Sequence, residues 1–185
     1  TCRYSDHVRR TVFICVLFGA LAVPAAGLAV RSAPNDGTLV VRNGNAPRGT
    51  AVVTLVIRGA AIGQVSGYSK LLIQDLTPDN GAPPEVTGYG WHKSITDKVT
   101  GDTADVYGGT DTFRFRAVGD TYKITIFGSD VDLVASGYGN AILAGTPDDP
   151  THDGRYSLNG DAYHSLPATP TKLLIGVPTS TATTG

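Results

Sequence analysis

The stretch Val53 to Asp79, VTLVIRGAAIGQVSGYSKLLIQDLTPD, returns further along as Tyr122 to Asp148, YKITIFGSDVDLVASGYGNAILAGTPD. A chain that carries one small unit twice has to pair or stack the copies, because each alone leaves its apolar face uncovered. Laid over each other, Gly59 falls on Gly128 and Val65 on Val134. After the inserted Ala135, Ser66-Gly67-Tyr68 falls on Ser136-Gly137-Tyr138. One residue is lost again before Thr77-Pro78-Asp79 meets Thr146-Pro147-Asp148.

Both copies alternate with a period of two. Val53, Leu55 and Ile57 share one face and Thr54, Val56 and Arg58 the other; the second copy places Tyr122, Ile124 and Ile126 against Lys123, Thr125 and Phe127. That period is the signature of a strand. Gly59 and Gly128 stand where each strand must bend or bulge. Gly67 and Gly137 interrupt it again, and the Pro of each Thr-Pro-Asp ends it, having no N–H for a ladder. The echo extends outward. Gly37-Thr38 before Leu39-Val40-Val41 parallels Gly109-Thr110 before Phe113-Arg114-Phe115, and Val86 to His92 parallels Leu158 to His164.

The resulting organisation is a single β domain over 37–168, made of two repeats, 37–94 and 109–166, at a spacing of about seventy residues. The polar stretch Ile95 to Gly108 reads as the linker between them. Residues 30–36 form a polar lead-in and 169–185 a tail rich in Thr, Ser and Pro. After Ala29 the chain has a single glutamate, Glu85, and is rich in Val, Thr and Gly, a bias towards strands and turns. The expected fold is all-β and antiparallel, with about eight strands from two four-stranded repeats. A β-sandwich and a closed β-barrel both satisfy it.

The first 29 residues differ in character. Arg3, Arg9 and Arg10 precede the apolar run Thr11 to Val23, and the small residues of PAAGLA follow. This is the order of a secretory signal peptide, with cleavage after Ala25 or Ala29. Arg9-Arg10 also gives a loose twin-arginine match; the alternative is a retained N-terminal anchor. Both cysteines, Cys2 and Cys15, lie in this leader, so the remainder has no disulfide, thiolate metal site or cysteine nucleophile. The expected location is therefore extracytoplasmic, secreted or at the cell envelope. The formal net charge is −1 and the charges are scattered. Nucleic acid is thus a poor partner, as is a membrane once the leader is removed.

Few constellations carry chemistry. Trp91-His92 and Tyr163-His164 are repeat-related, and two imidazoles brought together between aromatic walls can hold a metal or an acidic ligand. The plainer account makes the aromatics cover for each half's core. With Tyr68 and Tyr138, the repeated Ser-Gly-Tyr tyrosines, these form the candidate ligand-binding set: Tyr68, Trp91, His92, Tyr138, Tyr163 and His164. The loop Asp148 to Gly154, with three carboxylates and His152, reads as a solvated turn. Asp130 and Asp132 fall on one face of a strand, an exposed one. No catalytic residue, metal ligand or cofactor motif is assigned: the nucleophile elbow, the His-Glu-x-x-His helix and the phosphate and dinucleotide loops are all missing. Leu166-Pro167-Ala168-Thr169-Pro170 resembles a sortase signal, but Pro170 replaces the glycine at which such a signal is cut.

By its leader, its Gly-Thr strand starts and the stretch Asp-Gly-Arg-Tyr-Ser-Leu-Asn-Gly at 153–160, the chain resembles small exported β-repeat proteins of actinobacteria. That resemblance implies an exported β fold and no activity. The expected function is a non-catalytic β domain with a structural or binding role. A secreted hydrolase using Asp and His residues, and a small-ligand carrier with a barrel interior, are the alternatives.

Overall fold

The alternation of the two related stretches is realised as two very long strands. In the computed structural model, which describes residues 35–78, 82–146 and 154–176, Val53–Asp75 forms β2 and Phe113–Leu143 forms β6. Around them lie β1 (Gly37–Gly44), β3 (Glu85–Thr87), β4 (Trp91–Thr96), β5 (Thr103–Gly109), β7 (Arg155–Leu158), β8 (His164–Ser165) and β9 (Thr171–Ile175). All nine belong to one antiparallel sheet of order β4-β5-β2-β6-β1-β7-β8, with β3 and β9 each paired to β6. There is no helix among the described residues. The all-β antiparallel fold expected from the sequence is what forms. The closed barrel is not: the sheet stays open, with β4 and β8 at its ends, and it has nine strands where about eight were expected.

β2 and β6 are long enough to pair with each other more than once. Residues 53–64 of β2 have residues 114–126 of β6 on one side and 132–143 on the other. Residues 70–75 of β2 then lie on the far side of residues 122–127, with β5 beyond them. Val53 pairs with Ile126, Leu55 with Ile124 and Ile57 with Tyr122, a register centred on the Leu55–Ile124 pair. Glycines let the strands coil without stopping. Gly59 (φ 147°) lies opposite Gly137 (φ 141°), and a Cβ on either would run into the other strand's backbone. On the other flank Arg58 pairs with Thr121 and Ala60 with Val118, which leaves Gly119 and Asp120 as a bulge.

The core lies on the face that the alternation marks. Val53, Leu55, Ile57, Tyr122, Ile124 and Ile126 are fully buried, in one cluster with Leu39 and Val41 of β1, Leu71 of β2, Tyr107 of β5 and Ile175 of β9. Thr54 and Val56 on the opposite face are half-buried, and Arg58 is exposed. Burying an aliphatic or aromatic side chain of this size contributes about 1.5–3 kcal/mol. With no helix to cover the sheet, its own coiling brings β1, β5 and β9 into that cluster.

One segment departs from the sequence reading. The supposed linker, Ile95 to Gly108, is a β-hairpin: β4 and β5 pair from Trp91–Gly108 to Thr96–Thr103 around a turn. In that turn Asp97 Oδ1 accepts from the N–H groups of Val99 (2.7 Å) and Thr100 (3.2 Å), which hold its carboxyl below the usual range. The tail is structured as far as it is described, since β9 pairs with residues 139–143 of β6. The leader, Asp148 to Asp153 and the residues beyond Gly176 lie outside the described residues.

Tyr122 links the core to the first repeat's exit turn. Its ring is fully buried, and its hydroxyl donates to the Ala82 carbonyl at 3.1 Å, with the Val118 carbonyl at 3.4 Å. Burial, and then the nearby Asp75 and Asp120 carboxylates, push its pKa up. A raised folded pKa means stability that is complete below the unfolded value of about 10 and is lost as pH rises towards the folded one. The urea midpoint is expected to fall above about pH 10, and Tyr122→Phe to flatten that slope. An identical alkaline slope in the variant would assign the loss to other tyrosines.

Candidate functional site

The hairpin that sequence reasoning took for a linker carries the densest group of functional side chains. His92 sits directly across from Tyr107, and Ser94 from Asp105. The His92 and Tyr107 rings stack with centroids 4.5 Å apart and planes 19° from parallel. Tyr89 meets Tyr107 edge-on at 5.1 Å and stands 6.1 Å from His92. Asp105 Oδ1 lies 3.0 Å from His92 Nε2 and accepts from Ser94 Oγ at 2.5 Å. Trp91 lies over Gly108, where the absence of a side chain leaves room for the indole. Tyr89 and Trp91 remain almost half exposed, on opposite faces of the ribbon, and Tyr107 is buried beneath Tyr89 and His92. Burial first, and then Asp105 and Tyr89, push the Tyr107 pKa up.

This geometry decides against one chemistry. A serine nucleophile needs its hydroxyl on one imidazole nitrogen and a carboxylate on the other. Here Ser94 and His92 both go to the same oxygen of Asp105, so the imidazole is not placed to take the serine proton. A neighbouring cavity of about 440 Å³ is lined by Asp75, Asp102 and Asp105 together with Ile73, Leu76, Pro78 and Pro84, with no histidine among its described lining.

The other sequence-selected residues are not gathered here. His164 is on β8, at the opposite end of the strand order from His92 on β4. It packs against Tyr156, ring centroids 5.6 Å apart, while Arg155 covers Tyr163 at 6.0 Å. The two repeat-related histidines thus have separate aromatic partners, and their strands differ in pairing: β4 pairs with β5, whereas β8 pairs with β7. No group of three or more His, Cys, Asp or Glu side chains that could hold a metal occurs among the described residues. Tyr68 is 82% exposed beneath the Arg48 guanidinium. Tyr138 is exposed beside Arg58, its partner in register. Asp132 does structural work: it accepts from Gln64 Nε2 (3.1 Å) and from the N–H of Asn43 (3.2 Å), and lies 3.9 Å from Arg42. Asp130 has φ 48° and its N–H donates to Asn45 Oδ1, so it leaves the regular strand face.

Sequence reasoning missed Tyr89, Ser94, Asp105 and Tyr107. The available signal was the alternation of Asp105 and Tyr107 after the turn residues Asp97 and Gly101, which fits the second arm of a hairpin. His92→Ala is expected to change stability by less than about 1 kcal/mol, since the ring is partly exposed and its carboxylate partner keeps Ser94. A drop of several kcal/mol in urea titration would make the His92–Tyr107 stack a part of the core.

With this geometry in view, neither a family model, nor a curated protein, nor a solved structure matches the chain.

Proposed function

We propose that this chain is an exported, non-catalytic β domain that works by binding, at the cell envelope or outside the cell. The observation that carries the reading is the β4–β5 hairpin. Trp91 is part-exposed on its first strand and Tyr89 part-exposed just ahead of it, packed on Tyr107, while Asp105 takes up both His92 and Ser94. Aromatic rings fixed by neighbours present contact area at little entropic loss, whereas the tied serine has no imidazole to activate it. The leader pattern of residues 1–29 and the likeness to exported β-repeat proteins supply the location. The same features speak against a hydrolase, and a core filled by Leu55, Ile57, Ile124 and Ile126 speaks against a carrier with a barrel interior.

The two-repeat architecture belongs to the same proposal. The reciprocal register around Leu55 and Ile124 supports duplication, as do the matching φ values of Gly59 and Gly128, 147° and 149°. The two halves of the coiled sheet would then face each other as the layers of a sandwich.

The test is retention on insoluble polysaccharide from bacterial cell envelopes, whose sugar faces suit exposed rings. Wild-type protein is expected to be retained, and the double variant Tyr89→Ala, Trp91→Ala to elute freely with its fold intact. Retention that is unchanged in the double variant, or absent in both proteins, would overturn a binding role for this hairpin.

A further inference from the structure

Asp120 is buried with one carboxylate oxygen unpartnered. It sits in the bulge of β6 opposite Gly59, is 3% exposed, and its Oδ2 has no hydrogen-bond partner. Carboxylate oxygens left alone inside a protein are costly, and one that persists calls for an explanation. The obvious donors are engaged elsewhere. The Tyr122 hydroxyl serves the carbonyls of Ala82 and Val118, and the Thr121 N–H goes to Thr77 Oγ1 at 3.1 Å.

Asp120 lines a cavity of about 410 Å³ together with Arg58, Thr77, Gly119 and Thr121. An arginine and a buried aspartate share this space without forming an ion pair with each other. Among the described residues the lining therefore offers one negative and one positive group, two threonines and an open glycine backbone. A single carboxylate is too few ligands for a structural metal. A neutral sugar would bring neither a cationic donor to Asp120 nor an oxyanion to Arg58. A molecule with its own separated charges answers both at once: a cationic donor for Asp120, and an oxyanion for the guanidinium, whose fork suits carboxylates.

We propose that this cavity binds a small zwitterion of the α-amino acid class, its ammonium group at Asp120 and its carboxylate at Arg58. Because Oδ2 is covered in the free protein, binding includes a rotation of the Asp120 carboxyl towards the cavity, a broad and easy torsion. Thr77 and Thr121 supply further polar contacts at the wall. The site does not depend on the β4–β5 hairpin, with which it shares no lining residue.

The experiment is calorimetric titration of the protein with glycine, L-alanine and L-serine, against acetate, methylammonium and glucose. The zwitterions are expected to bind with Kd of about 1 mM or tighter, and the single-charge probes at least about tenfold more weakly. Asp120→Asn, nearly isosteric, and Arg58→Gln are each expected to weaken glycine binding about tenfold or more. Arg58 is exposed, so its variant carries the test even if Asp120→Asn folds poorly. Trp91→Ala is expected to leave zwitterion binding unchanged, which separates this site from the hairpin's. No heat with any zwitterion at about 50-fold the expected Kd, equal binding by both variants, or a preference for glucose would each overturn the assignment.

Discussion

Gly137→Ala is expected to destabilise the domain by about 3 kcal/mol or more, enough to leave a marginal protein largely unfolded. Gly137 has φ 141°, a region where a side chain is strained. Its added Cβ would also collide with the carbonyl oxygen of Arg58 and crowd the Cα of Gly59. Those atoms are backbone of β2, held in the middle of the sheet between two stretches of β6, so they cannot turn aside as a side chain would. Gly160→Ala provides the comparison. It too has positive φ, 84°, but nothing lies within 4 Å of its added Cβ, so it should cost only the strain, about 1 kcal/mol. Urea titration at unchanged m would separate the two. Equal losses for both glycines would show that the close approach of β2 and β6 contributes nothing.

Leu55→Ala and Ile124→Ala are each expected to cost about 2–5 kcal/mol, the range for emptying a fully buried aliphatic site. The two residues are direct partners in register, so their cavities would merge. The double variant is then expected to lose less than the sum, by about 0.5–3 kcal/mol. Closely similar single losses would fit equivalent places in the two repeats. Strict additivity in a double-mutant cycle would mean that the side chains do not touch across the pair.

The legible part of this fold was the part with one wet and one dry face. Val53, Leu55 and Ile57, and their counterparts Tyr122, Ile124 and Ile126, alternate because only one face of their strands meets the core. The hairpin was illegible for the converse reason. Every residue of β4 is exposed, so burial imposes no alternation, and Ile95 to Gly108 looked like a polar linker. The glycines were read as interruptions, yet β2 runs on through Gly59 and Gly67, and β6 through Gly128 and Gly137, because a coil in a strand and a break in it use the same residue. The candidate tyrosines and histidines were visible as repeated letters, but their partners Asp105, Tyr107 and Tyr156 arrive by pairing between strands. Asp120 could not be singled out at all. Its burial follows from a bulge, and a bulge is a property of two strands in register.

That pairing bears on how quickly the chain finds its fold. Leu55 and Ile124 are separated by about seventy residues, and the partners Leu39 and Leu158 by well over a hundred. Little of the sheet can form locally; the β4–β5 hairpin is the main exception. Each long closure must be made before its contacts stabilise anything, which puts folding on the scale of milliseconds to seconds or beyond. A ribosome adds about 5–20 residues per second, so β6 and its outer neighbours emerge seconds after β2. Until then β2 has no partner for most of its length. For the export proposed above, that delay would keep the chain threadable until β6 completes the sheet.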